Sequence, residues 1–338
     1  MKRSKLKLDF ISITFPIKGE FKRSSIKYNI NNIVPKSLGV ISVKNISKSL
    51  LKTKDNYVGN NDNNELAKIR KKGIRYKYTY LLTVQRNKNN RSETYKVWIS
   101  IYPIDKGNNF FRLQFNPNKA KQNGVKTLRW ILADIIGKSN AKQLFYYAPV
   151  TRIDLALDIY NLKNEYFIHA DYMRDSAIRS AINGGNPSQI LGKGRTRVSY
   201  YDKEHEQGIV LDFDKTGKSN WMRLEVQLKN QTFENKRYTM SDLLQKLENP
   251  FTIISFYTGS FIQDENFNED FRYSVLTNGI SSALHGLDTK LRRQYKAKLD
   301  LYKRNLINFD KLWKSFPSSL DCIELLKPAV KPNKAVVN

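Results

Sequence analysis

The stretch 151–160, TRIDLALDIY, alternates polar and apolar residues, which is the signature of a half-buried strand. Successive strand side chains point to opposite faces, so Ile153, Leu155, Leu157 and Ile159 form one face and Arg152, Asp154, Ala156, Asp158 and Tyr160 the other. A second stretch, WMRLEVQLKN at 221–230, repeats the design: Leu224, Val226 and Leu228 lie on one side, Arg223, Glu225 and Gln227 on the other. If both belong to one antiparallel sheet, their polar faces coincide and the carboxylates can meet across the strands. The expected fold is therefore α+β, with a mainly antiparallel sheet carrying the chemistry, helices on one side and a helical carboxy-terminal region.

Between these two segments lies RVSYYDK, 197–203. Read as a strand, it sets Arg197, Ser199, Tyr201 and Lys203 on one face and Val198 and Tyr200 on the other. Joined to the acidic face, Tyr201 points at the carboxylates, Arg197 and Lys203 flank it and can hold a phosphate, and Tyr200 packs into the core. A free tyrosine ionises near pH 10, about three units above neutrality, so a nucleophilic one needs cations or a metal beside it. The same residues also suit a rim tyrosine held by a hydrogen bond, with the carboxylates paired to Arg152 and Arg223 as salt bridges.

The chain has 338 residues and a formal charge of +28, an excess that attracts polyanions, nucleic acid first among them. An acidic cluster in so basic a chain is best explained by a bound cation. Asp154 and Asp158 lie four strand positions apart, on the order of 13 Å, so one ion does not easily take both. Asp154 with Glu225 is the expected primary pair and Asp158 a supporting or alternative ligand. Such oxygen donors suit Mg²⁺ or Mn²⁺. Cys322 is the single cysteine, which excludes an intramolecular disulfide and a cysteine-rich zinc site and fits a reducing cytoplasm. Neither an apolar signal core near residue 1 nor a run long enough to span a bilayer is present, so no membrane partner is expected.

Further strands are expected in LKLDFISITF (6–15), YKYTYLLTV, YKVWISIY, FFRLQFNP, SQILG and FTIISFYTG, and little regular structure between 29 and 75. Helical spacing marks VKTLRWILADIIGKS, stopped at Gly137, together with 170–183, MSDLLQKLE and a run through Leu291, Tyr295, Leu299, Tyr302, Leu306 and Phe309. FRLQFN matches MRLEVQ and LDFISITF matches IDLALDIY, which suggests an internal duplication in which Gln114 stands where Glu225 stands in the other copy. From Asp288 to Lys314 there are nine Lys or Arg against three Asp, either a solvated helix face or a DNA-binding one. The expected division is 1–262 for a catalytic domain, 263–320 for a basic helical region and 321–338 for a flexible tail.

RIDLALD, then ILGKGRTRVSYYDKEHE, then WMRLEVQL resemble, in order and spacing, the trans-type rolling-circle replication initiators of bacterial plasmids, whose motifs are shared by relaxases of some integrative elements. The resemblance covers about Val150 to Asn230. It implies a metal-dependent, site-specific single-strand nuclease and ligase acting through a 5′-phosphotyrosine, with Tyr201 as nucleophile and Asp154 and Glu225, with Asp158 less directly, at the metal. It also implies single- and double-stranded origin DNA, a host helicase and polymerase, and a homodimer as partners. Paired-histidine metal chemistry is disfavoured, because His169, His205 and His285 are the only histidines and none are spaced for it. A relaxase with the same chemistry, or a non-catalytic basic nucleic-acid-binding protein, remains the alternative reading.

Overall fold

The computed structural model describes residues 5–16, 23–33, 40–46, 76–88, 91–103, 110–160, 162, 165–179, 187–207, 221–233, 236–240 and 242–320. The expected tail at 321–338 lies outside them. The fold is α+β, as the alternation requires. Its strands are β1 (Lys5–Pro16), β2 (Val40–Asn45), β3 (Tyr76–Lys88), β4 (Arg91–Pro103), β5 (Phe110–Phe115), β6 (Val150–Tyr160), β7 (Tyr166–Ala170), β8 (Ser176–Arg179), β9 (Ser188–Leu191), β10 (Thr196–Asp202), β11 (Trp221–Lys229), β12 (Thr232–Phe233), β13 (Lys236–Arg237), β14 (Ile254–Thr258) and β15 (Lys303–Arg304). Two compact units result, one of Met1–Lys7, Asp154–Lys229 and Leu247–Ser319, the other of Leu8–Ile153, Asn230–Lys246 and Leu320–Asn338.

In the second of these units the sheet runs β2-β3-β4-β5-β1, with each neighbouring pair antiparallel. Its apolar face is built from alternate residues: Tyr80, Leu82 and Val84 on β3, Val97, Ile99 and Ile101 on β4, Phe111, Leu113 and Phe115 on β5, and Ile11 and Ile13 on β1, all buried. The helix Pro117–Ile136 brings Leu128, Ile131, Leu132, Ile135 and Ile136 into the core. Its start is set by Pro117 and by Asn116, whose side chain accepts from the Lys119 N–H at 2.9 Å. It stops at Gly137, where φ is 83°. Of the region between 29 and 75 only 29–33 and 40–46 are among the described residues, and there the helix Arg23–Asn31 and β2 replace the expected irregular chain.

In the first unit the sheet order is β6-β11-β10-β9-β8. Each unit thus begins with its first strand, sets its last strand beside it, and continues in descending sequence order. That shared order is the one an internal duplication produces, and it places Gln114 on β5 where β11 carries Glu225. β14 pairs antiparallel with both β7 and β15 in a separate three-stranded sheet. The helices Glu269–Asn278, Ile280–His285 and Thr289–Asp300 close on an aromatic cluster of Phe261, Phe267, Phe271 and Tyr295, whose rings lie 4.9 to 5.9 Å apart. Each such ring pair contributes about 0.5–1.5 kcal/mol beyond its buried area. No helix among the described residues is long and apolar enough to cross a membrane.

Three expected helices are corrected. The segment 170–183 is a turn followed by strand β8 over its described part, because tertiary hydrogen bonds hold Ser176 extended: its N–H donates to Ser282 Oγ at 2.7 Å, its hydroxyl to Asn278 O at 2.6 Å, and its carbonyl accepts from Ser282 Oγ at 2.9 Å. The helix from Leu291 ends at Asp300 rather than continuing to Phe309, since Tyr302 donates its hydroxyl to Asp264 Oδ2 at 2.7 Å and Lys303 pairs with Tyr257 on β14. Among the described residues of MSDLLQKLE, Leu243–Lys246 is helical.

Candidate active site on the polar face of three strands

Strand β10 pairs antiparallel with β11 so that Arg197 faces Gln227, Ser199 faces Glu225 and Tyr201 faces Arg223. Directly opposed residues share a face, so this register gathers the polar side chains of both strands on one side. The two adjacent tyrosines separate as their parity requires. Tyr200 is 0% exposed, its ring meets Phe256 edge-on at 5.8 Å, and burial raises its phenol, with the negative neighbours Tyr166 and Asp202 adding to the shift. Tyr201 is half-buried on the polar face, where its hydroxyl donates to Glu225 Oε2 at 3.3 Å.

Strand β6 lies on the other side of β11. Three side-chain contacts fix how they align: Gln227 Nε2 donates to Asp154 Oδ2 at 3.3 Å, Arg223 Nε donates to Asp158 Oδ1 at 2.6 Å, and the rings of Tyr160 and Trp221 stack 5.7 Å apart. In each pair the residue on β6 advances by the amount its partner on β11 retreats, which is antiparallel and sets Ala156 across from Glu225. Glu225 is therefore flanked by the small residues Ala156 on one side and Ser199 on the other.

The carboxylates divide in role. Asp158 is buried, and burial alone would raise its pKa, but the Arg223 guanidinium and the Lys7 ammonium outweigh that and hold the carboxyl below the ordinary range. An aspartate so neutralised is a structural anchor rather than a free metal ligand, and the salt-bridge reading holds for it, with Arg223 as one partner. Arg152 sits 4.4 Å from the centre of the Phe10 ring. Asp154, buried, and Glu225, half-buried, lie on the same polar face as diagonal neighbours on adjoining strands.

The cations depart from expectation. Lys203 is not on the strand: it opens the short helix Lys203–Gln207, pairs with Glu206, and still brings its Nζ within 5.7 Å of the Tyr201 ring centre. Arg197 lies four strand positions from Tyr201, opposite Gln227, so it flanks Asp154's partner and not the phenol. Arg223 is the cation that faces Tyr201 across the strands. Sequence parity placed Arg223 on this face but gave no register, and Lys7 is separated from Asp158 by 151 positions, too far for any local pattern to connect them. The side chain of His205 lies outside the described residues.

Among the described residues no group of three or more His, Cys, Asp or Glu is gathered to hold a metal. Two carboxylates on one polar face, Asp154 buried and Glu225 half-buried, are oxygen donors of the kind that Mg²⁺ takes together with waters and phosphate oxygens. The sequence matches no protein-family model and no curated protein.

Proposed function

We propose that this chain nicks and rejoins DNA by tyrosine transesterification, as a rolling-circle replication initiator does. The observation that carries the reading is the hydroxyl of Tyr201, which donates to Glu225 Oε2 at 3.3 Å on a polar face shared with Asp154, while its neighbour Tyr200 is sealed in the core. Tyr201 Oη attacks the scissile phosphorus, the phenolic proton passes to the carboxylate it already points at, and the bond to the 3′ oxygen breaks. The products are a 5′-phosphotyrosine and a 3′-OH, the latter taking up a proton, so the bond energy is conserved for rejoining. Lys203, against the Tyr201 ring and paired with Glu206, and Arg223, opposite Tyr201 and shared with Asp158, are the cations nearest the phosphate in this reading. Asp154 and Glu225 would hold Mg²⁺ or Mn²⁺, which when bound supplies Lewis-acid stabilisation of the phosphoryl oxygens.

The net charge of +28 supports a polyanionic substrate, single- and double-stranded origin DNA in this reading, in a cytoplasmic setting where host helicase and polymerase act on the nicked product. Two tyrosines are consumed over a full cycle, which suits a homodimer. The test is to incubate the protein with Mg²⁺ or Mn²⁺ and supercoiled plasmid carrying its own coding region and flanks, then resolve protein–DNA adducts on a denaturing gel. The wild type and Tyr200→Phe form the adduct, and Tyr201→Phe and chelator-treated protein do not. An adduct that survives Tyr201→Phe, or none from the wild type with either metal, overturns the proposal and leaves a non-catalytic nucleic-acid binder.

A further inference from the structure

We infer that the tip of the β9–β10 hairpin and the turn between β7 and β8 together form a docking platform for single-stranded nucleic acid, with Tyr172 as the ring on which a base stacks. The two pieces are fixed to each other. The Gly192 N–H donates to Asp175 O at 2.8 Å, and the buried Met173 tucks beneath the tip, its sulfur 3.2 Å from where a Gly192 Cβ would stand. Gly192 has φ of +74°, and a Cβ there would also approach Thr196 O at 2.7 Å, so the tight tip requires glycine. At its other edge the Lys229 N–H donates to Arg195 O at 2.7 Å, tying the tip to β11.

On this rigid base the residues either side of Met173 turn outward. Tyr172 is 86% exposed, the most exposed large hydrophobic residue of the described chain. Arg174, Lys193 and Arg195 are exposed around it, and Gly194 faces open space. The nearby acids are matched, Asp175 by Lys193 at 3.4 Å and Asp171 by Lys296 at 2.6 Å, so the positive charge of the patch is that of Arg174 and Arg195. An aromatic ring held in water by a well-anchored backbone and surrounded by cations is the combination that binds single strands, bases on the ring and phosphates on the cations, without reading sequence. A duplex keeps its bases stacked inside and offers the ring nothing.

The placement suits the transesterase reading, though the inference rests on that reading only for the choice of DNA. β10 runs from the tip at Thr196 to Tyr201 near its far end, about 17 Å by strand rise, so a strand held at the tip can extend along β10 to the phenol. The experiment is fluorescence anisotropy with a labelled oligothymidylate of about fifteen nucleotides, long enough for one site. Tyr172→Ala weakens binding about tenfold or more, whereas Tyr172→Phe, which keeps the ring, stays within about twofold. Arg174→Ala with Arg195→Ala lowers the slope of log affinity against log salt by about 1.4, two released single-strand counterions. Binding is read without metal and without cleavage, so a failure of the nicking proposal leaves this measurement intact. Affinity unchanged by Tyr172→Ala, an equal loss in Tyr172→Phe, or the same loss on a duplex of matching length each overturns the inference.

Discussion

His169 gives the fold a defined acid weakness. It lies on β7, 6% exposed, with Nδ1 2.8 Å from Ser281 Oγ and Nε2 3.5 Å from Asp171 Oδ1. Burial disfavours the charged imidazolium and the nearby Asp171 only partly compensates, so the pKa falls from 6.5 to about 4. In the unfolded chain the imidazole takes a proton as pH drops through 6.5, while in the folded protein it stays neutral until about 4. Between those values the unfolded state binds the extra proton, so stability is full above pH 6.5, is lost as pH falls toward 4, and changes no further below. The interval of about 2.5 pH units, at about 1.4 kcal/mol each, amounts to about 3 kcal/mol. The assay is urea unfolding of the wild type and His169→Asn at about pH 7 and about pH 4. Carboxylates such as Asp158 and Asp171 titrate in both proteins, so the quantity of interest is the difference between the two pH-dependent losses. The wild type should lose about 3 kcal/mol more than the variant, and equal losses would show that the imidazole is not held neutral by burial.

The tyrosine pair and the buried ion pair make separable claims on stability. The Tyr200 hydroxyl is buried with no hydrogen-bond partner among the described residues, so Tyr200→Phe should raise stability by about 1 kcal/mol in urea; a loss of that size would mean the hydroxyl is bonded. Arg223→Met leaves the 1%-exposed Asp158 with Lys7 alone and should cost about 3–5 kcal/mol, of which Asp158→Leu in the same chain restores most; a double variant no better than the single one refutes the pairing. Gly192→Ala forces a Cβ toward Thr196 O from a left-handed backbone and should lower the thermal midpoint measurably, by the equivalent of about 1–2 kcal/mol, and an unchanged midpoint would place the tip differently.

How much of this was legible in the sequence can be followed residue by residue. Period-two alternation is a property of the chain itself, so it sorted Tyr200 inward and Tyr201 outward, and put Arg223, Glu225 and Gln227 on one face, before any partner strand was known. The paired motifs around Gln114 and Glu225 likewise anticipated two sets of strands with one common order. Alternation carries no register, so it could not show that Arg223 is the cation facing Tyr201 across the strands; Arg197 shares that face but stands four positions away on the same strand, opposite Gln227. The helix expected over 170–183 failed for a related cause, since apolar spacing there suits either structure and the choice was made by hydrogen bonds to Ser282 and Asn278, about a hundred residues away.

By itself, then, the chain determined which side of each strand is greasy and which is polar, because that depends only on neighbours one and two positions apart. The tertiary structure alone decided that Asp158 is neutralised by Arg223 and Lys7 while Glu225, between Ala156 and Ser199, meets the Tyr201 phenol. Those outcomes depend on how strands distant in sequence slide against one another, and a slide of two residues would preserve every face while exchanging every partner.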